Sequence, residues 1–252
     1  MNEKTIVSVI NADARSEYAV IRLSYRGVYA TLEQKAGAVI VLPPNASAST
    51  STPHGRIDTN ELIKSLSPAA VIGPGAAEKY AVPLPFFDYS KNGEYVKKNA
   101  ELTAEGAVGI MINELPFSVS SAKIAVLGFG RIGKSLSEKL TFLGGDVTVF
   151  ARRAEARAEA EKICRAKDFA DFKDGFDCVM NTVPAPTVNV CKIGGYVIEL
   201  ASAPYGFDEN DRRLLGGKFI FAPGLPGKTA PRQAGYALGD AVYDILKGEI
   251  FK

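Results

Sequence analysis

Residues 123–150 read KIAVLGFGRIGKSLSEKLTFLGGDVTVF, and the fold turns on how this stretch is read. Lys123–Leu127 is a short apolar run bounded by glycine, the mark of a buried strand. GFGRIG follows over 128–133, with glycines at its first, third and sixth positions. Residues 134–143 carry helical spacing, and Gly144 and Gly145 stop that helix. Asp146–Phe150, DVTVF, is the next strand.

Strand, glycine turn, helix and strand at this spacing make a βαβ unit of the dinucleotide-binding kind. Gly128 permits the tight turn, Gly130 lets the backbone approach a pyrophosphate, and Gly133 lets helix and strand pack closely. The free N–H groups and the positive end of the helix dipole then face the phosphates. Gly128, Gly130, Arg131, Ile132 and Gly133 are therefore the candidate phosphate-binding residues. An NAD site carries an acid about 20 residues further on, where it accepts hydrogen bonds from the ribose 2′-hydroxyl. Here Ala151 is followed by Arg152 and Arg153. Two guanidiniums suit a 2′-phosphate, which they bind as planar forks, so the expected cofactor is NADP. The other reading of RRAEARAEAEK is the start of a solvated helix with charges of both signs.

Outward from this unit the chain keeps alternating strands and helices. Further strands are expected at 178–181, 196–200 and 219–221. Upstream, strands are expected at 5–10, 38–42 and 70–73. Helices are expected at 17–23, 59–65 and across 99–114, with loops at 11–15 and at the Ser/Thr/Pro-rich 45–55. A long helix is expected over 230–246, with Ala234, Leu238, Ala241, Val242, Ile245 and Leu246 on one stripe. The expected class is α/β: a Rossmann-type doubly wound parallel sheet over 102–228, with a second, smaller α/β domain over 1–101 completed by the C-terminal helix, 229–252. Asn181, Thr182, Val183 and Pro184 follow one expected strand, and Ala201 and Ser202 follow the next. At the carboxyl ends of the strands these residues would border the nicotinamide end of the cofactor. Alone, each segment reads equally as a polar turn. The segment 222–235, APGLPGKTAPRQAG, joins a strand to the last helix. In it Thr229 is the expected cap, and Lys228 and Arg232 stand where positive charge opposes the helix dipole unless an anion is bound.

Composition narrows the partners. The 252 residues are 46% hydrophobic and 23% charged, with 30 basic and 28 acidic side chains. A net charge of +2 offers no broad field for nucleic acid, and no apolar run is long enough to span a membrane. The N-terminal MNEKTIVSVINADAR has too short an apolar run for a signal peptide, and a cytoplasmic protein is expected. Cys164, Cys178 and Cys191 are widely spaced and His54 is the one histidine, so neither a disulfide framework nor a metal is expected.

The segments AKIAVLGFGRIGKSL, MNTVPA, IELASAPYGFD and FAPGLPGKTAPRQAG, in that order, resemble the dipicolinate synthase A subunits of spore-forming bacteria. The likeness reaches upstream to Thr103, Ala104, Glu105 and Gly106 and to the loop at 11–15, and is poor over 42–98. The resemblance implies oxidation of a dihydrodipicolinate to pyridine-2,6-dicarboxylate with reduction of NADP, and, as partner, a flavoprotein-like B subunit. It also implies the cytoplasm of a sporulating mother cell, and allows a homo-oligomer. The substrate is a small dicarboxylate, so cations are needed at both ends. Arg15 and Lys228 are the first candidates, with Thr229 as an added donor and Arg232 next; Asp13 is expected to orient Arg15. The family often carries a basic residue after LAS, where Ala203 stands here.

Two other readings stay open. A 2-hydroxyacid dehydrogenase needs a late histidine paired with a carboxylate, and His54 lies far upstream of that position. A non-catalytic NADP-binding module is the reading from outside the enzymes.

Overall fold

The computed structural model describes residues 5–47, 49–52, 55–80 and 83–251. The chain divides into two compact units: Met1–Asn99 with Pro226–Lys252, and Ala100–Leu225.

The first unit is built on a parallel sheet in the order β2-β1-β3-β6-β7. Its strands are β1 (Ile6–Val9), β2 (Tyr29–Thr31), β3 (Val39–Val41), β6 (Ala70–Gly73) and β7 (Phe86–Asp88). One face, with Val7, Val9, Val39 and Ile72, packs on α1 (Arg15–Tyr25) and α8 (Pro231–Ile245) through Ala19, Leu23, Leu238 and Val242. The other face, with Ile40, Leu42 and Val71, packs on α2 (Thr59–Leu66) through Leu62, Ile63 and Leu66. Burial on both faces explains the unbroken apolar runs of β3 and β6. The backbones of α1 and α8 nearly touch: a Cβ on Gly235 would lie 2.5 Å from Tyr18 Cβ, and one on Gly239 2.8 Å from Arg22 Cβ.

The stretch 45–55 is not the polar loop its composition suggests. Within it β4 (Ser49–Thr52) pairs antiparallel with β5 (Gly55–Asp58), Thr50 opposite Ile57. The hydroxyl of Thr50 is buried against that of Thr59, the first residue of α2, at 2.7 Å, so Thr50 sits in the strand as a β-branched residue with a satisfied polar tip.

The second unit carries β8 (Lys123–Leu127), β9 (Asp146–Phe150), β10 (Arg165–Lys167), β11 (Cys178–Asn181), β12 (Tyr196–Glu199) and β13 (Phe219–Phe221). All are parallel, in the order β10-β9-β8-β11-β12-β13. Numbered from the first strand this is 3-2-1-4-5-6, the doubly wound order whose switch point lies between β8 and β11. Along β8, Ile124 and Val126 face α3 (Gly93–Glu114) and α4 (Arg131–Phe142), while Ala125 and Leu127 face Phe172, Phe207 and Leu215. Smaller helices are α5 (Ala154–Ala160) and α6 (Glu209–Leu215); α7 (Leu225–Thr229) starts on the last residue of this unit and runs into the chain of the first. Among the described residues no helix is long and apolar enough to cross a membrane.

Candidate functional site

At the switch point β8 ends on Leu127 and the chain turns through Gly128, whose φ of 94° is open only to glycine without strain. Its N–H donates to the Phe150 carbonyl at 2.8 Å, and a Cβ there would lie 2.7 Å from both Thr182 Oγ1 and Val183 Cγ2. Gly133, in the first turn of α4, lies directly against the Gly128 carbonyl, where a Cβ would collide with the oxygen. Gly130 differs from both. It caps α4 with an extended backbone and no side-chain hydrogen bond, and its Cβ position faces open space with nothing within 4 Å. The absent side chain thus leaves the backbone bare in front of the helix N-terminus, whose first N–H groups lack intrahelical acceptors. Arg131 is exposed there, while Ile132 is half-buried, its side chain packed against the core.

A cleft of about 540 Å³ opens over this turn. Gly128, Gly130, Arg152, Arg153, Thr182, Val183 and Pro184 line it together with Phe129 and Phe169. Arg152 and Arg153 are exposed, and Arg153 is the residue before α5, so its charge stands at that helix's positive end. The start of a solvated helix is thus real, and the same two side chains border the cleft. Arg157 shapes their loop: its Nη1 donates to the carbonyls of Ala151 (2.9 Å) and Arg152 (2.6 Å) and to Asp168 Oδ2 (2.8 Å). Sequence reading missed Arg157 because the alternating charges around it look like a solvated face.

The carboxyl ends of β11 and β12 meet in a buried polar cluster. Asn181 does not present its side chain to the cleft as expected; it is fully buried. Its Nδ2 donates to Glu199 Oε1 at 2.8 Å and to the Val183 carbonyl at 2.9 Å, and its Oδ1 accepts from the Val183 N–H at 3.1 Å. Glu199, also fully buried, accepts from the N–H groups of Ala201 and Gly206, both at 3.0 Å. Burial pushes the Glu199 carboxyl above its ordinary range, against the hydrogen bonds from Gly206, Asn181, Ala201 and Phe207 that pull it down. Ala201 is buried and Ser202 exposed. Nothing in the sequence distinguished Glu199 from any strand-end acid.

The remaining candidates belong to the first unit. Arg15 is not in a loop but opens α1, and it is only 5% exposed. Its Nε donates to Asp13 Oδ1 at 3.0 Å and its Nη2 to Asp13 Oδ2 at 2.6 Å. Burial alone would lower the pKa of this guanidinium, but the hydrogen bonds and charge of Asp13 raise it. The pair lies on Gly227, where a Cβ would be 2.7 Å from Asp13 Oδ2 and 2.8 Å from Arg15 Nη2. Lys228 is exposed in the last turn of α7. Positive charge is favourable at that end of a helix, so the dipole argument for an anion fails at Lys228. Thr229 ends α7 instead of capping α8, whose cap position is Ala230 with Pro231 at the first turn. Arg232 is exposed in that first turn, its guanidinium 5.7 Å from the Tyr236 ring centre. His54 lies outside the described residues. Among the described residues, no three His, Cys, Asp or Glu side chains come together as a metal site.

Comparison with known proteins finds the D-isomer specific 2-hydroxyacid dehydrogenase NAD-binding domain over residues 96–192. The dipicolinate synthase A subunit of Bacillus subtilis (strain 168) is 28% identical over 157 residues, covering 59% of this chain and 53% of that protein. The chain therefore matches about half the length of this curated relative. The crystal structure of the dipicolinate synthase A subunit from Bacillus halodurans superposes with a TM-score of 0.81 at 26% identity, covering 98% of this chain and 99% of the other. The equivalent crystal structure from Bacillus subtilis gives 0.79 at 22% identity, over 98% and 97% of the two chains.

Proposed function

We propose that this chain, a homologue of the dipicolinate synthase A subunit with a dehydrogenase-type NAD-binding fold, is an NADP-dependent oxidoreductase that converts a dihydrodipicolinate to pyridine-2,6-dicarboxylate. The observation that carries this reading is the glycine turn left bare at Gly130 beside two exposed guanidiniums, with Ala151 and no acid at the end of β9.

The residues present fit the dinucleotide. The N–H groups after Gly130 would hold the pyrophosphate, and Arg152 and Arg153 the 2′-phosphate. Thr182, Val183, Pro184, Ala201 and Ser202 would border the nicotinamide. When bound, NADP supplies a hydride acceptor. The ring of the substrate gives up one hydride and one proton as it becomes aromatic, and aromatisation drives the step without a strong protein base. The protein's task is then binding and orientation. Lys228 would receive a substrate carboxylate, with Thr229 beside it. Arg15 would act at one remove, through Asp13 and the backbone of Gly227, by holding the segment that carries Lys228. A flavoprotein-like B subunit would be the partner, and the cytoplasm of a sporulating cell the setting.

The test is to mix the purified chain with freshly generated dihydrodipicolinate and NADP and follow the absorbance of reduced nicotinamide, with and without the B subunit. A rise in either mixture supports the proposal, and a rise only with the partner makes the complex the active unit. No rise in either refutes catalysis, leaving a nucleotide-binding module. Cofactor choice has its own test. Because Ala151 is buried, an acid is better introduced at the exposed neighbour, as Arg152→Asp with Arg153→Ala. Loss of charge-assisted bonds worth about 1.5–3 kcal/mol should weaken NADP about 10- to 100-fold relative to NAD; an unchanged ratio refutes the 2′-phosphate role.

A further inference from the structure

Two loops that the proposed function assigns to the nicotinamide end, 182–184 after β11 and 201–206 after β12, converge on one carboxylate. Glu199 Oε1 accepts from Asn181 Nδ2 and from the Ala201 N–H, and Oε2 accepts from the Gly206 N–H. Asn181 passes the restraint on through two hydrogen bonds to the backbone of Val183. The contact is close on both sides: a Cβ on Gly206 would strike Asn181 Nδ2 and stand 3.0 Å from the Val183 carbonyl. The second loop closes with the Tyr205 N–H donating to the Ser202 carbonyl at 2.9 Å, but Tyr205 has a φ of 71°, a conformation that costs a non-glycine residue about 1 kcal/mol or more. The N–H of the next residue, Gly206, is bound by Glu199, which helps to offset that cost.

We infer that Glu199 is a positioning residue, a buried carboxylate that holds both nicotinamide-side loops in one geometry. The inference rests on the proposed dinucleotide reading. Both oxygens of Glu199 face N–H donors, and only a carboxylate can accept at both. A glutamine of the same shape must turn its own amide N–H groups toward one pair of donors, whichever way it is flipped. Glu199→Gln therefore releases one loop without emptying the site. The hydrogen bonds given for the Glu199 and Asn181 side chains run to each other and to the backbone of the two loops, and none of these runs to the glycine turn at 128–133 or to Arg152, so the adenosine end should keep its affinity.

The experiment compares two ligands by calorimetric titration: NADP, and adenosine 2′,5′-bisphosphate, which has the adenosine end alone. Wild type should bind both, with NADP the tighter. In Glu199→Gln the affinity for NADP should fall about 10-fold or more, toward that of the fragment, while the fragment binds as before. Asn181→Ala removes the bond to Glu199 and the two to Val183, leaving Glu199 its bonds to Ala201 and Gly206, and serves as the second variant should Glu199→Gln fail to fold. It should weaken NADP in the same direction. If the folded variants bind NADP as wild type does and merely melt lower, Glu199 only stabilises the fold and the inference is overturned. Equal loss of both ligands by a folded variant overturns it as well. If wild type binds neither ligand, it is the dinucleotide reading that fails.

Discussion

Replacing Gly133 with alanine sets helix propensity against packing. Inside α4, alanine is favoured over glycine by about 1 kcal/mol. Against this, the new Cβ would fall on the Gly128 carbonyl oxygen and stand 3.0 Å from its carbon. The turn has little room to retreat: the Gly128 N–H is bound to the Phe150 carbonyl at 2.8 Å, and Thr182, bound to the Leu127 carbonyl at 2.8 Å, crowds Gly128 from the β11 side. Overpacking of this kind costs about 1–3 kcal/mol, and each turn hydrogen bond that lengthens adds up to about 1 kcal/mol. Packing wins by this reckoning, leaving a net loss of about 1–3 kcal/mol, and each kcal/mol lowers the melting temperature of a chain this size by roughly 2–4 °C. Gly130→Ala is the companion variant. Its Cβ meets nothing within 4 Å, so its stability should change by less than about 1 kcal/mol, yet a methyl group there obstructs a pyrophosphate. Thermal unfolding by circular dichroism and NADP titration of both variants separate the two roles. If Gly133→Ala melts at or above wild type, the close-packing argument is wrong. If Gly130→Ala binds NADP as well as wild type does, no phosphate approaches that backbone.

Two further outcomes concern the first unit. Asp240 accepts hydrogen bonds from Arg22 at 2.9 Å and Arg26 at 2.8 Å across α1 and α8. Burial pushes its carboxyl up, but the two guanidiniums more than reverse this and leave it below the ordinary 3.8. A lowered folded value means stability that is present above 3.8 and lost as pH falls through the folded value. With the side chain 36% exposed, Asp240→Asn should cost only about 0.5–1 kcal/mol at neutral pH. That gap should close by about pH 2–3, and urea unfolding midpoints that stay equally far apart at both pH values contradict the assignment. Asp13→Ala should be more severe, because it leaves the Arg15 guanidinium buried without its counter-charge. Breaking a buried pair costs about 3–5 kcal/mol, and the partial exposure of Asp13 brings the expectation to about 2–3 kcal/mol. A loss under about 1 kcal/mol on urea unfolding would show that Arg15 finds water or another acceptor.

What was legible in the sequence was what depends on neighbours along the chain. The unit from β8 through α4 to β9 was readable because strand alternation, three glycines and a helix stop all fall within 28 residues, 123–150. The edge strands β2 (YAT), β7 (FFD) and β10 (RAK) lack the unbroken apolar run that marked the equally short β3 (VIV) and β13 (FIF). The hairpin of β4 and β5 was hidden because its serines and threonines are as common in loops as in strands. In the segment after β13 nothing local marked α7 or moved Thr229 from cap to helix end.

The doubly wound unit, its glycine turn and the guanidiniums after β9 could be read from the chain alone, since each rests on backbone conformation and charge within a few residues. Which polar side chains stand open to a ligand depended instead on contacts between distant segments. Arg15 looked available until Asp13 and a glycine 212 positions further along closed over it. Asn181 looked like a cleft residue until β12 came alongside β11 and set Glu199 against it. Glu199 itself acquires a role only there, because a carboxylate that accepts hydrogen bonds from two loops exists only once parallel pairing has brought the ends of two separate strands together.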